Sequence, residues 1–285
     1  MIHRLREGLL ARGGNPKAEM PFLDHLEELR WRILWAILSV VAGLAAGLVL
    51  VFGFDVMGIL LQPGRKLFGD GWLPLALSPV DNFFFPLKTA LLIGLVLAFP
   101  ILAYQTWAFL APALEPREKR AIVPALYLGL VLFCAGVAMA YFALIPVSLR
   151  FLVGMGGSFL AQEWTANLYF GFIVQLTVAM GVVFELPVVI LVLSALGLVT
   201  PRFLRSKRRH AVVVGLIVAS VISPGDLILA TALMTGSMVL LYEFGILLSA
   251  IVWRKRGEQG SRQDQSLPLD SVPLRPEPAE TASDA

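Results

Sequence analysis

Three clusters of ionisable and aromatic residues stand out in an otherwise apolar chain. The first is Phe22-Leu23-Asp24-His25-Leu26-Glu27-Glu28-Leu29-Arg30-Trp31-Arg32, in which Phe22, Leu26 and Leu29 keep helical spacing. Glu28 and Arg32 form an i,i+4 pair in the favoured order, worth about 0.2–0.5 kcal/mol on a helix in water. The charge pattern is met by a solvated amphipathic lead-in whose arginines snorkel at a membrane surface, and a binding role stays open beside it. The second cluster is Tyr104-Gln105-Thr106-Trp107-Ala108-Phe109-Leu110-Ala111-Pro112-Ala113-Leu114, followed by Glu115, Arg117, Glu118, Lys119 and Arg120. Tyr104 and Trp107 suit an interfacial aromatic belt, and Pro112 ends the helix. Glu115 and Glu118 are carboxylates in a basic loop. They can take a guanidinium in a bidentate, charge-assisted pair whose geometry Lys does not reproduce. Internal pairing with Arg117 or Arg120 fits equally well. The third cluster is Glu185 in Gly181-Val182-Val183-Phe184-Glu185-Leu186-Pro187, in the middle of an apolar run. An ionised carboxyl at that depth costs roughly 2.5–3.5 kcal/mol or more, so hydration, neutralisation or a hydrogen-bonding partner must meet the cost. Pro187 frees the carbonyl of residue 183 and predicts a kink. Proton relay and docking of a partner helix both remain open for Glu185. Glu243, in Leu241-Tyr242-Glu243-Phe244-Gly245, is a second intramembrane acid of the same kind.

The elements that position these groups are membrane helices. Hydrophobic residues make up 58% of the 285 and charged residues 15%, against about 45–50% and 25% in soluble domains. Apolar runs cover 31–54, 83–112, 122–148, 168–199, 211–222 and 227–253, and about 20 residues cross 30 Å of hydrocarbon. The expectation is an all-α integral membrane protein of six spans joined by short segments. The fifth run, at 12 residues, rises only about 18 Å and predicts a locally thinned bilayer. With both termini cytoplasmic, the inner segments 1–32, 111–121, 198–210 and 253–285 hold six, three, five and five basic residues, 19 of the 23. Arg65, Lys66, Lys88 and Arg150 remain on the outer side, so retention of positive loops favours N-in, C-in. The chain divides into an N-terminal cytoplasmic extension (1–21), a membrane domain (22–253) and a polar, Pro-rich tail (254–285) with a disorder composition.

Several classes of chemistry find no support. There is no His-Glu-x-x-His, no Gly-x-Ser-x-Gly and no Gly-rich phosphate loop, and His3, His25 and His210 lie far apart. One cysteine, Cys134, makes no disulfide framework or cysteine metal site within a chain. An enzyme, a metal or other cofactor and a nucleic-acid partner are therefore not expected. No repeat of 20–50 residues and no match between halves is visible, which disfavours a symmetric transporter.

Taken in order, the motifs resemble the TatC family, the multispanning subunit of the twin-arginine protein translocase. They are His25-Leu26-x-Glu28-Leu29-Arg30-x-Arg32, Ser78-Pro79, Tyr104-Gln105-x-Trp107-x-Phe109 into Pro112-x-Leu114, Phe184-Glu185-Leu186-Pro187, and Ser223-Pro224-Gly225-Asp226 between the last two spans. The resemblance covers about 22–253 and implies a glove-like arrangement in the inner cell membrane with short last helices and Asp226 in a periplasmic turn. It also implies a cytoplasmic site for twin-arginine signal peptides of folded cargo. By motif position, Glu28 and Glu118 would accept the cargo arginines, Phe109 would pack on the apolar part of the signal, and Arg30 would orient the acids. Glu185 would face the concave side and receive helices of TatA- and TatB-type subunits, in a homo-oligomeric complex driven by the proton motive force. The chain has Val80-Asp81 where the family often has Glu two residues after Ser-Pro, and Ala230 where some members are polar. The alternative reading is an ion-coupled small-molecule transporter with Glu185 as its proton carrier.

Overall fold

The computed structural model describes residues 16–111, 122–156, 163–223 and 228–265. They form α1 (Pro16–Gly53), α2 (Val56–Phe68), α3 (Asp81–Leu110), α4 (Ile122–Met139) and, after a π turn at Ala140–Leu144, α5 (Ile145–Gly156). There follow α6 (Ala166–Phe184), α7 (Leu186–Ala195), α8 (Pro201–Ser206), α9 (Arg208–Ile222) and α10 (Leu229–Gln265). Among the described residues the one extended pairing is a bridge between Leu75 and Thr165.

Five helices are long and apolar enough to cross a bilayer: Leu26–Gly53, Asp81–Leu110, Val123–Met155, Ala166–Ala195 and Leu229–Arg254. The sixth expected span is α9, whose 15 residues rise only about 22 Å. It is nevertheless the return stroke. Ile190 packs on Gly245 and the Ser194 hydroxyl bonds that of Ser249 at 2.6 Å, so α7 and α10 run parallel and the chain must double back between them. Gln175 donates from its side-chain amide to the carbonyl of Ile222. The end of α9 therefore lies level with Gln175, nine residues or about 13 Å short of the start of α6 at Ala166. α9 therefore ends short of the level at which α6 begins.

Close approach of backbones replaces the hydrophobic effect as the adhesive where lipid surrounds the helices. Between α1 and α3, a Cβ on Gly43 would lie 2.3 Å from the carbonyl oxygen of Gly94, and one on Gly47 would lie 2.2 Å from that of Ala90. The two helices are antiparallel, and only glycine leaves room for that contact. Between α4 and α6, Gly136 faces the Met180 carbonyl at 2.6 Å from its Cβ position, and Gly181 faces the Phe133 ring. The Phe99 and Phe133 rings stack with centroids 3.6 Å apart, tying α3 to α4. The core centres on α6, where Tyr169, Phe170, Ile173, Leu176 and Met180 are fully buried against Leu144, Ile145 and Met234. Within its apolar window the fourth span is 56% buried and the first only 17%, so α6 is the hub and α1 the rim. The rim exposes Trp31, Trp35, Ile37, Val49 and Phe52, a surface too apolar for water and suited to lipid.

Two sequence expectations need correction. The fourth run is not one helix to residue 199. It breaks at Glu185, whose N–H bonds back to Val182 at 3.1 Å, and it ends at Ala195 before a left-handed Gly197 with φ 74°. Pro187 supplies the reason, since it has no N–H for Val183 and is placed in the first turn of α7. The segment between the first two spans is also more than a short connection. It contains α2, capped by Asp55 accepting from the Gly58 N–H at 3.0 Å and ended by Gly69 at φ 109°.

Pro63 lies inside α2 and so leaves the carbonyl of Ile59 without its helical donor. The Tyr141 hydroxyl donates to that carbonyl at 2.6 Å. One step along, the Tyr169 hydroxyl donates to Leu60 O at 3.0 Å and accepts from Gly64 N–H at 3.1 Å. Two tyrosines from the third and fourth spans thus stitch a proline-broken helix across one end of the bundle. Trp72 stacks on Phe68 and meets Tyr169 edge-on, and the Leu75–Thr165 bridge holds the loops beside them. At the start of α3, Asp81 accepts from the N–H groups of Leu77 and Ser78, both at 3.1 Å, so this carboxylate caps a turn.

Candidate functional site

The apolar lead-in and the first span are one uninterrupted helix, because residues 16–53 contain no proline after the first turn except Pro21 and no glycine before Gly43. Glu28 and Arg32 therefore sit one turn apart on a rigid rod. Arg32 donates from both Nε, at 3.0 Å, and Nη2 to the same oxygen, Glu28 Oε1, the pairing expected from the i,i+4 spacing. Glu28 stays about one third exposed, so its carboxylate is pre-oriented by a cation yet reachable. Arg30 is exposed on the same turn. In the described chain Arg32 thus orients the acid.

Phe109 is set by the other helix. Gly43 opposite Gly94 and Gly47 opposite Ala90 define an antiparallel register that, carried to the basic end, brings Glu28 level with Phe109. Trp107, expected in an exposed belt, is instead 6% exposed and packs with Ala125, Val188 and Ala195. Its indole wedges the end of α3 against α4 and α7, which fixes the height at which half-buried Phe109 emerges; the tertiary neighbours override the interfacial preference of the side chain. Tyr104 remains exposed as expected. Glu118, with Glu115 and Pro112, lies outside the described residues, as does Asp226. In sequence, Glu118 falls between the end of α3 at Leu110 and the start of α4 at Ile122.

Glu185 stands at the break between α6 and α7, where its Oε1 is buried and makes no hydrogen bond among the described residues. A Cβ on Gly129 of α4 would lie 3.1 Å from its Oε2. The carboxyl thus rests against the bare backbone of α4, in a gap that a larger residue at 129 would close. Sequence reasoning missed Gly129; the available signal was a glycine in the middle of a span, where it weakens the helix unless something approaches closely. Such a carboxyl can accept a hydrogen bond from a polar group entering from a neighbouring helix.

Glu243 proves to be engaged. It accepts from Arg208 Nη2 at 2.6 Å, with the side chains 43% and 51% exposed. The pair ties the start of α9 to α10, together with Tyr242 donating to Leu204 O at 2.8 Å and Trp253 donating to Val199 O at 3.1 Å. Among the described residues no group of three His, Cys, Asp or Glu side chains could hold a metal ion.

A family model described as "Sec-independent protein translocase protein (TatC)" matches residues 24–235. TatC of Aquifex aeolicus is 36% identical over 241 residues, 84% of this chain and 98% of that protein. TatC of Halalkalibacterium halodurans is 38% identical over 239 residues, 83% and 92% of the two chains, and that of Escherichia coli K12 is 33% identical over 229 residues, 80% and 88%. Two crystal structures of a twin-arginine translocase receptor TatC superpose with TM-scores of 0.68 and 0.70 at 34% and 33% identity. They cover 80% and 79% of this chain and 99% of each solved chain.

Proposed function

This chain belongs to the TatC family of Sec-independent protein translocase components, and on that premise we propose that its basic end is the receptor surface for twin-arginine signal peptides. It is a multi-pass membrane protein and a translocase component; the ion-coupled small-molecule transporter gives way to the family match. The observation that carries the finer reading is the α1–α3 register. It supports a single surface that holds Glu28 and Phe109, and the reading adds Glu118 to it. On this surface two carboxylates accept the paired guanidinium groups, for which bidentate geometry favours Arg over Lys. Phe109 offers an aromatic face to the apolar stretch of the signal. Arg32 keeps Glu28 oriented until a cargo arginine competes for it, and exposed Arg30 tunes the field around the acids.

In this reading both termini are cytoplasmic, α9 completes six spans in the inner membrane, and the proton motive force drives transport. TatA- and TatB-type single-span subunits dock on the spans, with Glu185 as an acceptor for a polar group on an incoming helix. Several copies of the chain assemble in the receptor complex.

The experiment is photocrosslinking from a probe at Phe109 to a synthetic signal peptide bearing Arg-Arg, in membranes. Glu28→Ala and Glu118→Ala each abolish most of the crosslink while membrane insertion is unchanged, and a Lys-Lys peptide competes poorly. Full crosslinking in both variants would sink the assignment.

A further inference from the structure

The end of the bundle opposite the signal-binding surface carries a cleft and a groove that share one wall. The cleft, about 60 Å³, lies between α2 and the third span and is flanked by Lys66 and Arg150, with Gln62 at its side. Both cations are exposed, and neither forms an ion pair among the described residues. The groove, about 350 Å³, is almost wholly apolar and is lined by Ile59, Val96, Leu97 and Val137. Tyr141 and Phe142 line both spaces. No carboxylate lines either one.

The two differ in depth as a headgroup and its chain do. Arg150 is midway along α5 and Val137 is 13 residues earlier in the same span, about 20 Å of helix. One leaflet's hydrocarbon is about 15 Å, half of the usual core. Val96 stands midway along α3, so the groove floor reaches the bilayer centre, while the cations stand where phosphates lie. A water-filled groove of that composition inside a membrane would be costly. An extended peptide would leave backbone groups unpaired against its apolar wall, whereas a lipid chain has none.

We propose that the cleft and groove together hold one anionic phospholipid of the leaflet on the α2 side, with its phosphate between Lys66 and Arg150 and an acyl chain along the groove. The lipid fills the space beneath α2, the helix that Tyr141 and Tyr169 stitch to the spans, and makes the cap a lipid-dependent element. Neutral zwitterionic lipid binds more weakly because the two positive charges then meet no net negative charge.

The test uses the full chain purified in mild detergent, given phosphatidylglycerol or phosphatidylcholine, with retained lipid counted by native mass spectrometry. Wild type retains phosphatidylglycerol preferentially. Lys66→Gln with Arg150→Gln lowers that preference by about fivefold per charge, the ratio equivalent to about 1 kcal/mol for a basic residue at a membrane surface. Lys88→Gln, at the same end but bonded to Asn167, leaves it unchanged. Val96→Trp, which fills the groove while keeping both cations, also lowers retention, and thermal midpoints of all variants verify folding. Equal retention of the two lipids by wild type, or undiminished phosphatidylglycerol retention in the folded double variant, overturns the proposal.

Discussion

Replacing Gly47 by alanine tests whether packing near one membrane surface governs recognition at the other. The new Cβ would stand 2.2 Å from Ala90 O, whereas a non-bonded C···O approach needs about 3.3 Å. The backbones of α1 and α3 must therefore part by about 1 Å, a gap that forfeits a quarter to a half of the dispersion energy at each atom pair along the seam. Overpacking of this kind costs about 1–3 kcal/mol. Glu28 is 19 residues away on the same helix, about 28 Å, so a small pivot at Gly47 moves it relative to Phe109. Gly47→Ala lowers the unfolding midpoint in detergent and weakens crosslinking from Phe109 to the signal peptide, although it touches neither. Gly53→Ala is the matched control, because nothing lies within 4 Å of its Cβ position; its crosslinking stays intact and its stability equals or exceeds that of wild type. If the two substitutions behave alike, or if Gly47→Ala keeps full stability and full crosslinking, the register does not set the site.

Tyr169→Phe removes two buried hydrogen bonds at the proline break of α2 and lowers stability by about 1–3 kcal/mol in reversible detergent unfolding, whereas Tyr141→Phe, which removes one bond, costs about half as much. Gly129→Val drives a methyl into Glu185; copurification of TatA- and TatB-type subunits falls while signal crosslinking persists, and loss of both together would argue against a docking role. Arg208→Gln breaks a pair whose members are both about half exposed, so it lowers stability by less than about 1 kcal/mol, which the same unfolding assay would detect as a small shift.

The proposed receptor surface was legible in part because its chemistry is local. An i,i+4 carboxylate and guanidinium declare themselves by spacing, and Glu28 with Arg32 pairs as spacing requires. Phe109 and Glu28, 81 residues apart in the chain, meet in height only through Gly43, Gly47 and Gly94. Nothing in the local sequence around either residue states that register. Trp107 shows the limit of an average preference: the belt rule describes tryptophans with lipid beside them, and this one has two other helices beside it.

What the sequence determined by itself is the solvent and the helical form the chain takes in it. Apolar runs of sufficient length leave the backbone no option in lipid but helix, and proline and glycine mark where those helices start, break and stop, as at Pro187. Tertiary structure decided the rest. It made α9 the return between parallel α7 and α10, gave the orphaned carbonyl of Ile59 a tyrosine donor, and set Gly129 against Glu185. Each joins distant segments, where backbone separation of an ångström, which no residue pattern encodes, chooses the partner.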